Sequence, residues 1–223
     1  FFKQKTAYEM LRSLVGSEMC IRDRKGIVTC IRHFGPEKAR ETAKCAAETA
    51  SDWIVGFGMA GAEDVGRATD FAYAFDIARE AGLRLTSHAG EWGGSQSVWE
   101  TVNDLKVQRI GHGVHSINDL NLVRYLAETG IVLEVNPGSN VALGVFPSFA
   151  EHPIAKLRDA GVKVTVSTDD PPFFHTTMTR EFDELERAFG WGSDDFKRLN
   201  QTALEAAFCD AATKEIISKR LDT

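Results

Sequence analysis

The sequence lacks several features that mark whole classes of protein. Its 223 residues include no run of about 18 apolar residues, so no membrane span is predicted. None of its four cysteines forms a C-x-x-C pair, which argues against a zinc knuckle and favours reduced thiols in a cytoplasmic protein. The net charge of −6 argues against nucleic acid or an anionic membrane as a partner, because those surfaces need clustered Lys and Arg.

An alternation of strand-like and helix-like segments begins at Gly26. The strand-like runs are nearly continuous in apolar residues, which is typical of parallel strands covered on both faces. They occupy residues 26–33, 53–61, 83–90, 107–113, 131–139 and 162–170. A strand followed by a helix, repeated roughly every 24–31 residues, predicts a chain of parallel βα units.

The connecting segments carry the helix signals that this alternation requires. Helices are predicted over residues 37–50, 152–160, 194–208 and 212–220, and another is expected between a Ser116 cap and Gly130. A doubly wound open sheet is the alternative fold, but it usually has a glycine-rich phosphate loop after its first strand, and GFGMAG (56–61) matches such a loop only weakly. The sequence therefore favours an α/β protein of the (β/α)8 TIM-type barrel class, with six βα units present.

Reactive side chains collect at the predicted C-terminal ends of the strands. In βα barrels the loops at those ends converge on the active site. Histidine and carboxylate side chains there can supply metal ligands and acid–base groups. The residues concerned are His88, Glu91, His112, Ser139, Asn140, Asp169 and Asp170.

Each of these residues also has a purely structural explanation. His88 could be a core histidine, and Glu91 could be a carboxylate in the first turn of a helix. Asp169 and Asp170 precede a Pro-Pro pair and could belong to a turn. His112 lies between two glycines, which indicates a close backbone approach instead. Because all of them follow in order at successive strand ends, one shared site explains them better than separate structural roles.

Four motifs in this order resemble the adenosine deaminase family. They are SHAGEWGG (87–94), RIGHGVH (109–115), LEVNPGSN (133–140) and STDDPPFF (167–174), and GFGMAGAE (56–63) is similar to a further segment of that family. The resemblance implies a zinc-containing (β/α)8 barrel that deaminates purines hydrolytically, with Zn²⁺ as cofactor and a small-molecule purine nucleoside as substrate. Cytidine-deaminase-type zinc sites need a PCxxC motif, which this sequence lacks.

The resemblance also implies roles for individual residues. Glu91 would protonate the purine ring nitrogen next to the attacked carbon, and a carboxyl group whose pKa is raised by its surroundings suits that role. His112 would orient the hydroxide and stabilise the charge that forms. Asp170 and the backbone of Gly61 would bind the purine.

His88 and Asp169 are the metal ligands that the resemblance implies. The family pattern has two further ligands in a His-x-His pair on the first strand, and no two of the six histidines here have that spacing. We therefore expect this chain to lack about the first two strands of the barrel. Zinc should then bind weakly, and the chain alone should be inactive or poorly folded.

The first 24 residues differ in character from the rest of the chain. They begin with Phe1 and show neither a helical nor a strand period, and they resemble a translated adapter sequence. The sequence therefore predicts a non-native leader over residues 1–24 and a partial adenosine deaminase barrel domain over residues 25–223.

The leading hypothesis for function is deamination of adenosine or deoxyadenosine to inosine or deoxyinosine in purine salvage. The alternative is an adenine deaminase that acts on the free base. Adenine-acting relatives tend to carry Ser-Asp-Asp-Pro-Ala-Tyr-Phe where this chain has STDDPPFF, and this difference favours the nucleoside. A non-catalytic purine-binding barrel and a metal-dependent hydrolase of amides or esters are less favoured, and the oligomeric state is not predicted.

Overall fold

The computed structural model describes residues 25–221 and contains one sheet of six parallel strands. Each strand pairs with the next one along the chain, in the order β1 to β6. This sequential order is that of a βα barrel and confirms the predicted fold class. The strands are β1 (Gly26–Ile31), β2 (Ile54–Ala60), β3 (Arg84–Ala89), β4 (Arg109–His112), β5 (Val132–Val135) and β6 (Val164–Val166).

Helices connect the strands and cover one face of the sheet. They are α1 (Gly35–Glu48), α2 (Ala68–Glu80), α3 (Gly94–Glu100), α4 (Leu120–Thr129), α5 (Pro137–Ala142), α6 (Ile154–Asp159), α7 (Pro171–Phe174), α8 (Met178–Phe189), α9 (Ser193–Ala206) and α10 (Ala211–Leu221). A π-helical turn, Thr101–Leu105, continues α3, and short 3-10 turns lie at Arg32–Phe34, Val114–Asn118 and Phe149–Glu151. The predicted helices are confirmed to within about two residues at most ends.

The start of α4 differs from the prediction. Asp119, not Ser116, is its cap, because the Asp119 side chain accepts hydrogen bonds from the backbone N–H groups of Asn121 and Leu122, at 2.9 and 3.3 Å. Ser116 lies in the buried 3-10 turn before the helix. Gly130 ends the helix in the left-handed region, as predicted, with φ of 70°.

The two faces of the sheet differ in polarity because side chains alternate along each strand. On one face Phe57, Leu85, Ile110 and Leu133 are fully buried beneath the helices. Burial of such side chains contributes about 1.5–3 kcal/mol each. The other face is polar and includes His88, Arg109, Glu134 and Thr165 around a cavity of about 360 Å³. The apolar face thus holds the fold together, and the polar face meets the space where a site can form.

Two expectations from composition can be placed on the structure. No helix within residues 25–221 has both the length and the apolar character of a bilayer span. Cys30, Cys45 and Cys209 are free cysteines, and burial raises the pKa of Cys30 to about 11. The prediction about residues 1–24 lies outside the described residues.

Candidate active site

Four of the predicted site residues meet at the C-terminal ends of β3, β4 and β6. The rings of His88 and His112 have centroids 5.0 Å apart. Nε2 of His112 is 3.9 Å from an Asp169 carboxylate oxygen, and its Nδ1 is 3.6 Å from Oε1 of Glu91. Side chains from three βα units thus converge on His112, which is almost fully buried.

The two glycines beside His112 permit this convergence. Gly111 pairs with His88 across the sheet, and a Cβ at Gly111 would lie 3.0 Å from Nδ1 of that ring. A Cβ at Gly113 would lie 2.5 Å from Leu133. The close backbone approach predicted from the Gly-His-Gly sequence is therefore present on both sides of the histidine.

His112 and Asp169 adopt backbone conformations that non-glycine residues rarely occupy. Their φ angles are 62° and 57°, in the left-handed region. Such conformations cost of the order of 1–3 kcal/mol and cluster at functional sites, where the surrounding structure enforces them. Here His112 ends β4 and Asp169 lies three residues beyond β6, so both turn the chain where the shared rim begins.

Glu91 follows β3 and lies close to the other site residues. Burial, together with the negative charges of Asp169 and Glu63, raises the pKa of its carboxyl group to about 7, although a hydrogen bond from Asn140 opposes the shift. A group with this pKa holds a proton for much of the time near neutral pH. Such a pKa suits the proton-donating role that the resemblance implies for Glu91, and the role itself stays a prediction.

Glu63 holds the loop that carries Glu91, and sequence reasoning did not single it out. Its carboxylate accepts hydrogen bonds from four backbone N–H groups, those of residues 90, 91, 92 and 93, and from the hydroxyl of Ser97. Burial alone would raise the pKa of Glu63, but these hydrogen bonds outweigh it and keep the pKa below its ordinary value. An ionised Glu63 thus fixes the backbone from which Glu91 projects.

Residues of α5, which follows β5, hold the other side of the site. The hydroxyl of Ser139 donates to Asp169 at 2.7 Å, and the amide of Asn140 donates to Glu91 at 3.1 Å. Glu181 of α8 anchors the start of α5, because its buried carboxylate accepts from the backbone N–H of Gly138 at 2.9 Å. Ser139 and Asn140 were both among the polar residues predicted at the strand ends.

His112 is neutral in this arrangement. Burial, with a smaller contribution from the neighbouring His88, lowers its pKa to about 3. Its Nδ1 is within hydrogen-bonding distance of the side-chain amides of Asn140 and Asn136, at 3.2 and 3.4 Å. A neutral ring that accepts a hydrogen bond at Nδ1 carries its proton on Nε2, which faces Asp169.

The residues proposed to bind the purine lie at the same end of the strands but farther from this cluster. Gly61 follows β2 with φ of 100°, and a Cβ there would lie 3.1 Å from Nδ1 of His33. Asp170 directly follows Asp169 and is exposed, and its backbone carbonyl accepts from Phe173 and Phe174 at the start of α7. Their purine-binding roles remain predictions.

The donors available for a metal ion are fewer than a catalytic zinc site uses. His88 and Asp169 line the same cavity, as a shared metal requires. Within residues 25–221, however, no three His, Cys, Asp or Glu side chains are grouped so that they could hold a metal ion. Catalytic zinc usually has three protein ligands and one open position. The described residues therefore do not by themselves satisfy a zinc ion.

Comparison with known proteins places this geometry in a family. The profile of the family described as adenosine deaminase matches residues 15–223. The chain belongs to the adenosine deaminase family. Among curated relatives, an adenine deaminase of Rhizobium rhizogenes is 54% identical over 195 residues, which are 87% of this chain and 61% of the relative.

Solved structures of similar proteins share the fold. An adenine deaminase from Arthrobacter aurescens superposes with a TM-score of 0.83 at 28% identity, covering 88% of this chain and 60% of that one. An amidohydrolase from Burkholderia ambifaria with bound Zn superposes with a TM-score of 0.86 at 27% identity, covering 96% of this chain and 61% of that one. The chain thus spans about 60% of the length of the proteins that it matches.

Proposed function

We propose that this chain contributes the proton-donating side of a hydrolytic purine deaminase site, and that the substrate is adenine. The observation that supports this most directly is the pair formed by Glu91 and His112. The carboxyl group has a pKa of about 7, the ring beside it is neutral, and their nearest side-chain atoms are 3.6 Å apart. A proton donor and a neutral hydrogen-bond donor are two of the groups that this reaction needs next to the purine.

The chemistry follows from the weak electrophilicity of a purine carbon that bears an amino group. In the proposed reaction Glu91 protonates the adjacent ring nitrogen, so that the carbon can accept the oxygen of water. The attacking water gives up both of its protons: one passes to the amino group, which leaves as ammonia, and the other returns to the Glu91 carboxylate. The N–H at Nε2 of His112 stabilises the negative charge that this leaves on the oxygen. The overall balance is purine amine plus water to purine carbonyl plus ammonia.

The relatives favour the free base over the nucleoside. The curated relative and one of the solved structures described above are named adenine deaminase, which supports the alternative hypothesis and not the predicted adenosine preference. That preference came from the segment after Asp170. Phe173 in this segment is 79% exposed, so its identity is weak support for a substrate preference.

Zn²⁺ is part of the proposal through two observations. His88 and Asp169 line one cavity, and the Burkholderia amidohydrolase of the same fold has bound Zn. With two donors from the described residues, we expect this chain to bind zinc weakly. Titration of the chain with Zn²⁺, followed by calorimetry, should give a dissociation constant that His88→Ala raises further. Tight stoichiometric zinc that resists His88→Ala would contradict this ligand assignment.

A chimera tests the proposed reaction. Residues 26–221 would replace the matching segment of the Rhizobium rhizogenes adenine deaminase, and ammonia release would be followed with adenine and with adenosine. We expect a higher kcat/KM for adenine. Glu91→Gln should lower kcat by about 10²–10⁴-fold, the usual contribution of a general acid. Glu128→Gln, on the exposed side of α4, is the matched control.

Three results would overturn parts of this proposal. A folded chimera that prefers adenosine would contradict the substrate. A Glu91→Gln chimera with unchanged kcat would contradict the proton donor. A folded, zinc-loaded chimera that binds adenine without turning it over would favour the non-catalytic purine-binding barrel.

A further inference from the structure

His152 is a buried imidazole that the proposed reaction does not use. It follows the 3-10 turn Phe149–Glu151, has 2% of its surface exposed, and packs edge-on against Phe146 with ring centroids 5.0 Å apart. Burial, with a smaller contribution from the neighbouring His112, lowers its pKa to about 3. It is therefore a neutral ring at neutral pH, with one nitrogen that donates and one that accepts.

The backbone decides which nitrogen of His152 donates. The N–H of Ile154 points at Nδ1 of the ring at 3.2 Å. A backbone amide can only donate, so Nδ1 must accept, and the proton of the neutral ring is on Nε2. Nε2 in turn lies 3.2 Å from Oδ1 of Asn140. His152 can therefore donate to Asn140 and cannot accept from it.

This donation fixes the orientation of the Asn140 side chain. With Oδ1 facing His152, the amide nitrogen faces the active site, where it lies 3.1 Å from Oε1 of Glu91 and 3.2 Å from Nδ1 of His112. An amide nitrogen has two hydrogens, one for each of these acceptors. The opposite orientation would place an amide N–H group against the N–H group of His152, with a donor facing a donor.

The orientation of Asn140 determines which atom carries the proton in both His112 and Glu91. Because Nδ1 of His112 accepts, its proton is on Nε2, which is 3.9 Å from Asp169. Because Oε1 of Glu91 accepts, the proton of its neutral form is on Oε2. The Asn140 amide thus places the proton of each neighbour on the atom that faces away from Asn140, which is Nε2 in His112 and Oε2 in Glu91.

We propose that His152 is a positioning residue which, through Asn140, sets the tautomer of His112 and the protonated oxygen of Glu91. This inference rests on the proposed function for its catalytic meaning, since a hydrogen-bond donor at Nε2 of His112 is what that reaction uses. The geometric part concerns only the described residues and needs neither substrate nor metal. An experiment can therefore contradict the geometric part without contradicting the proposed function, and the reverse.

Histidine tautomers can be measured directly in the full chain. Long-range ¹⁵N–¹H correlation spectra of ¹⁵N-histidine-labelled, metal-free protein at pH 7.5 distinguish a protonated Nδ1 from a protonated Nε2. In the unmodified chain we expect both His112 and His152 to be Nε2–H tautomers. A Nδ1–H tautomer at either ring would overturn the proposal.

A matched pair of amide substitutions separates positioning from simple packing. In His152→Gln the amide nitrogen reaches the place of Nε2 and can still donate to Asn140, so His112 should keep its tautomer. In His152→Asn the shorter side chain can still accept from Ile154 but does not reach Asn140. Asn140 is then free to turn, and the Nδ1–H form of His112 should gain population in competition with the amide of Asn136, which lies 3.4 Å from the same nitrogen.

Further variants protect the test against loss of stability. Leu157→Ala removes a fully buried side chain from α6 without touching the hydrogen bonds, so it should lower stability and leave the His112 tautomer unchanged. If His152→Asn does not fold, His152→Met, which fills the space without a donor, takes its place. An unchanged His112 tautomer in the variant without a donor, or equal spectra for His152→Gln and that variant, would overturn the proposal.

A second readout links the tautomer to activity in the chimera described above. The donor-less variant should lower kcat by about tenfold to a hundredfold, as is typical of hydrogen-bonding partners behind a reactive group, with little change in KM. His152→Gln should restore most of the loss. A shifted tautomer with unchanged kcat would overturn the positioning role. Chimeras without any turnover would contradict the proposed function while the spectra still decide the geometry.

Discussion

Two polar regions lie on the cavity side of the sheet, and they differ in the charge of the groups that surround their carboxylates. In the middle of the strands Glu134 lies 3.1 Å from the guanidinium of Arg109 and accepts a hydrogen bond from Thr86 at 2.6 Å. At the rim Glu91 has the negative charges of Asp169 and Glu63 near it, and its pKa rises to about 7. The first arrangement stabilises the ionised form of Glu134, whereas the second stabilises the protonated form of Glu91.

The difference shows how one sheet face combines stability with reactivity. The Arg109 guanidinium also lies over the ring of Phe208, 3.6 Å from its centroid, which ties the segment after α9 to the middle of the strands. This region closes the cavity and needs no freedom to exchange protons. Hydrogen bonds from α5 and from the loop after β3 hold the rim and position Glu91. They supply no positive charge, so the repulsion between Glu91 and the neighbouring carboxylates remains.

The largest effect is expected from breaking the region in the middle of the strands. Glu134→Leu leaves the Arg109 guanidinium, whose side chain is only 12% exposed, without its carboxylate partner. We expect the free energy of unfolding to fall by about 2–3 kcal/mol, measured by urea denaturation. Thr86→Val removes only the hydroxyl that donates to Glu134 and should cost about 1 kcal/mol. Equal effects of the two substitutions would show that the ion pair contributes nothing beyond a hydrogen bond.

Substitution of Glu63 tests how the rim is held. Glu63→Gln replaces an acceptor oxygen by an amide group that faces backbone N–H donors, so we expect a loss of about 2 kcal/mol in the free energy of unfolding. The change also removes a negative charge near Glu91, so the pKa of Glu91 should fall. Carboxyl ¹³C titration measures that pKa, and Glu128→Gln serves again as the exposed control. An unchanged pKa of Glu91 would mean that Glu63 acts only on the backbone.

These two glutamates also show what sequence could and could not predict. The strands and the cluster of His88, Glu91, His112 and Asp169 were predictable, because strand ends in a parallel barrel meet at one rim whatever the loops do. Glu63 was missed because its partners are mostly backbone amides from a loop 27 to 30 residues later, which leave no residue pattern. Its one available signal was its position directly beyond the end of β2.

The role of His152 was hidden for a related reason. In sequence it is one residue of a helix-like segment, and its partner Asn140 lies in a different turn, after β5. The preference for a nucleoside is less well supported by the relatives than the alternative, and it depended on a segment, residues 171–174, that is mostly exposed. Sequence patterns predicted which residues reach the rim, but they did not indicate which neighbouring side chains orient those residues.

The pH dependence of stability should differ in sign between the groups of the rim. The pKa of Glu91 is raised from 4.5 to about 7 in the folded state, so the folded chain binds more protons between these values and its stability falls as pH rises. The pKa values of His112 and His152 are lowered from 6.5 to about 3, so their contribution is lost as pH falls through that range.

Glu91→Gln isolates the first of these effects. In metal-free protein the stability of the variant relative to the unmodified chain should grow between pH 4.5 and 7, by about 1–2 kcal/mol after allowance for solvent screening, and stay constant below that range. Thermal denaturation across this pH series provides the measurement. A constant difference at all pH values would mean that Glu91 titrates normally and is a poor proton donor at neutral pH.

The smallest effect is expected where opposite charges pair in water. Lys163 and Glu205 lie 3.1 Å apart, but their side chains are 47% and 67% exposed. Solvent and the entropy of two long side chains offset most of their attraction, so Lys163→Met should change the free energy of unfolding by less than about 0.5 kcal/mol. The same urea denaturation used for Glu134→Leu measures it. If the two substitutions cost the same, burial would not be what distinguishes the ion pair between the strands, and the contrast between a charge-stabilising region and a proton-holding rim would lose its physical basis.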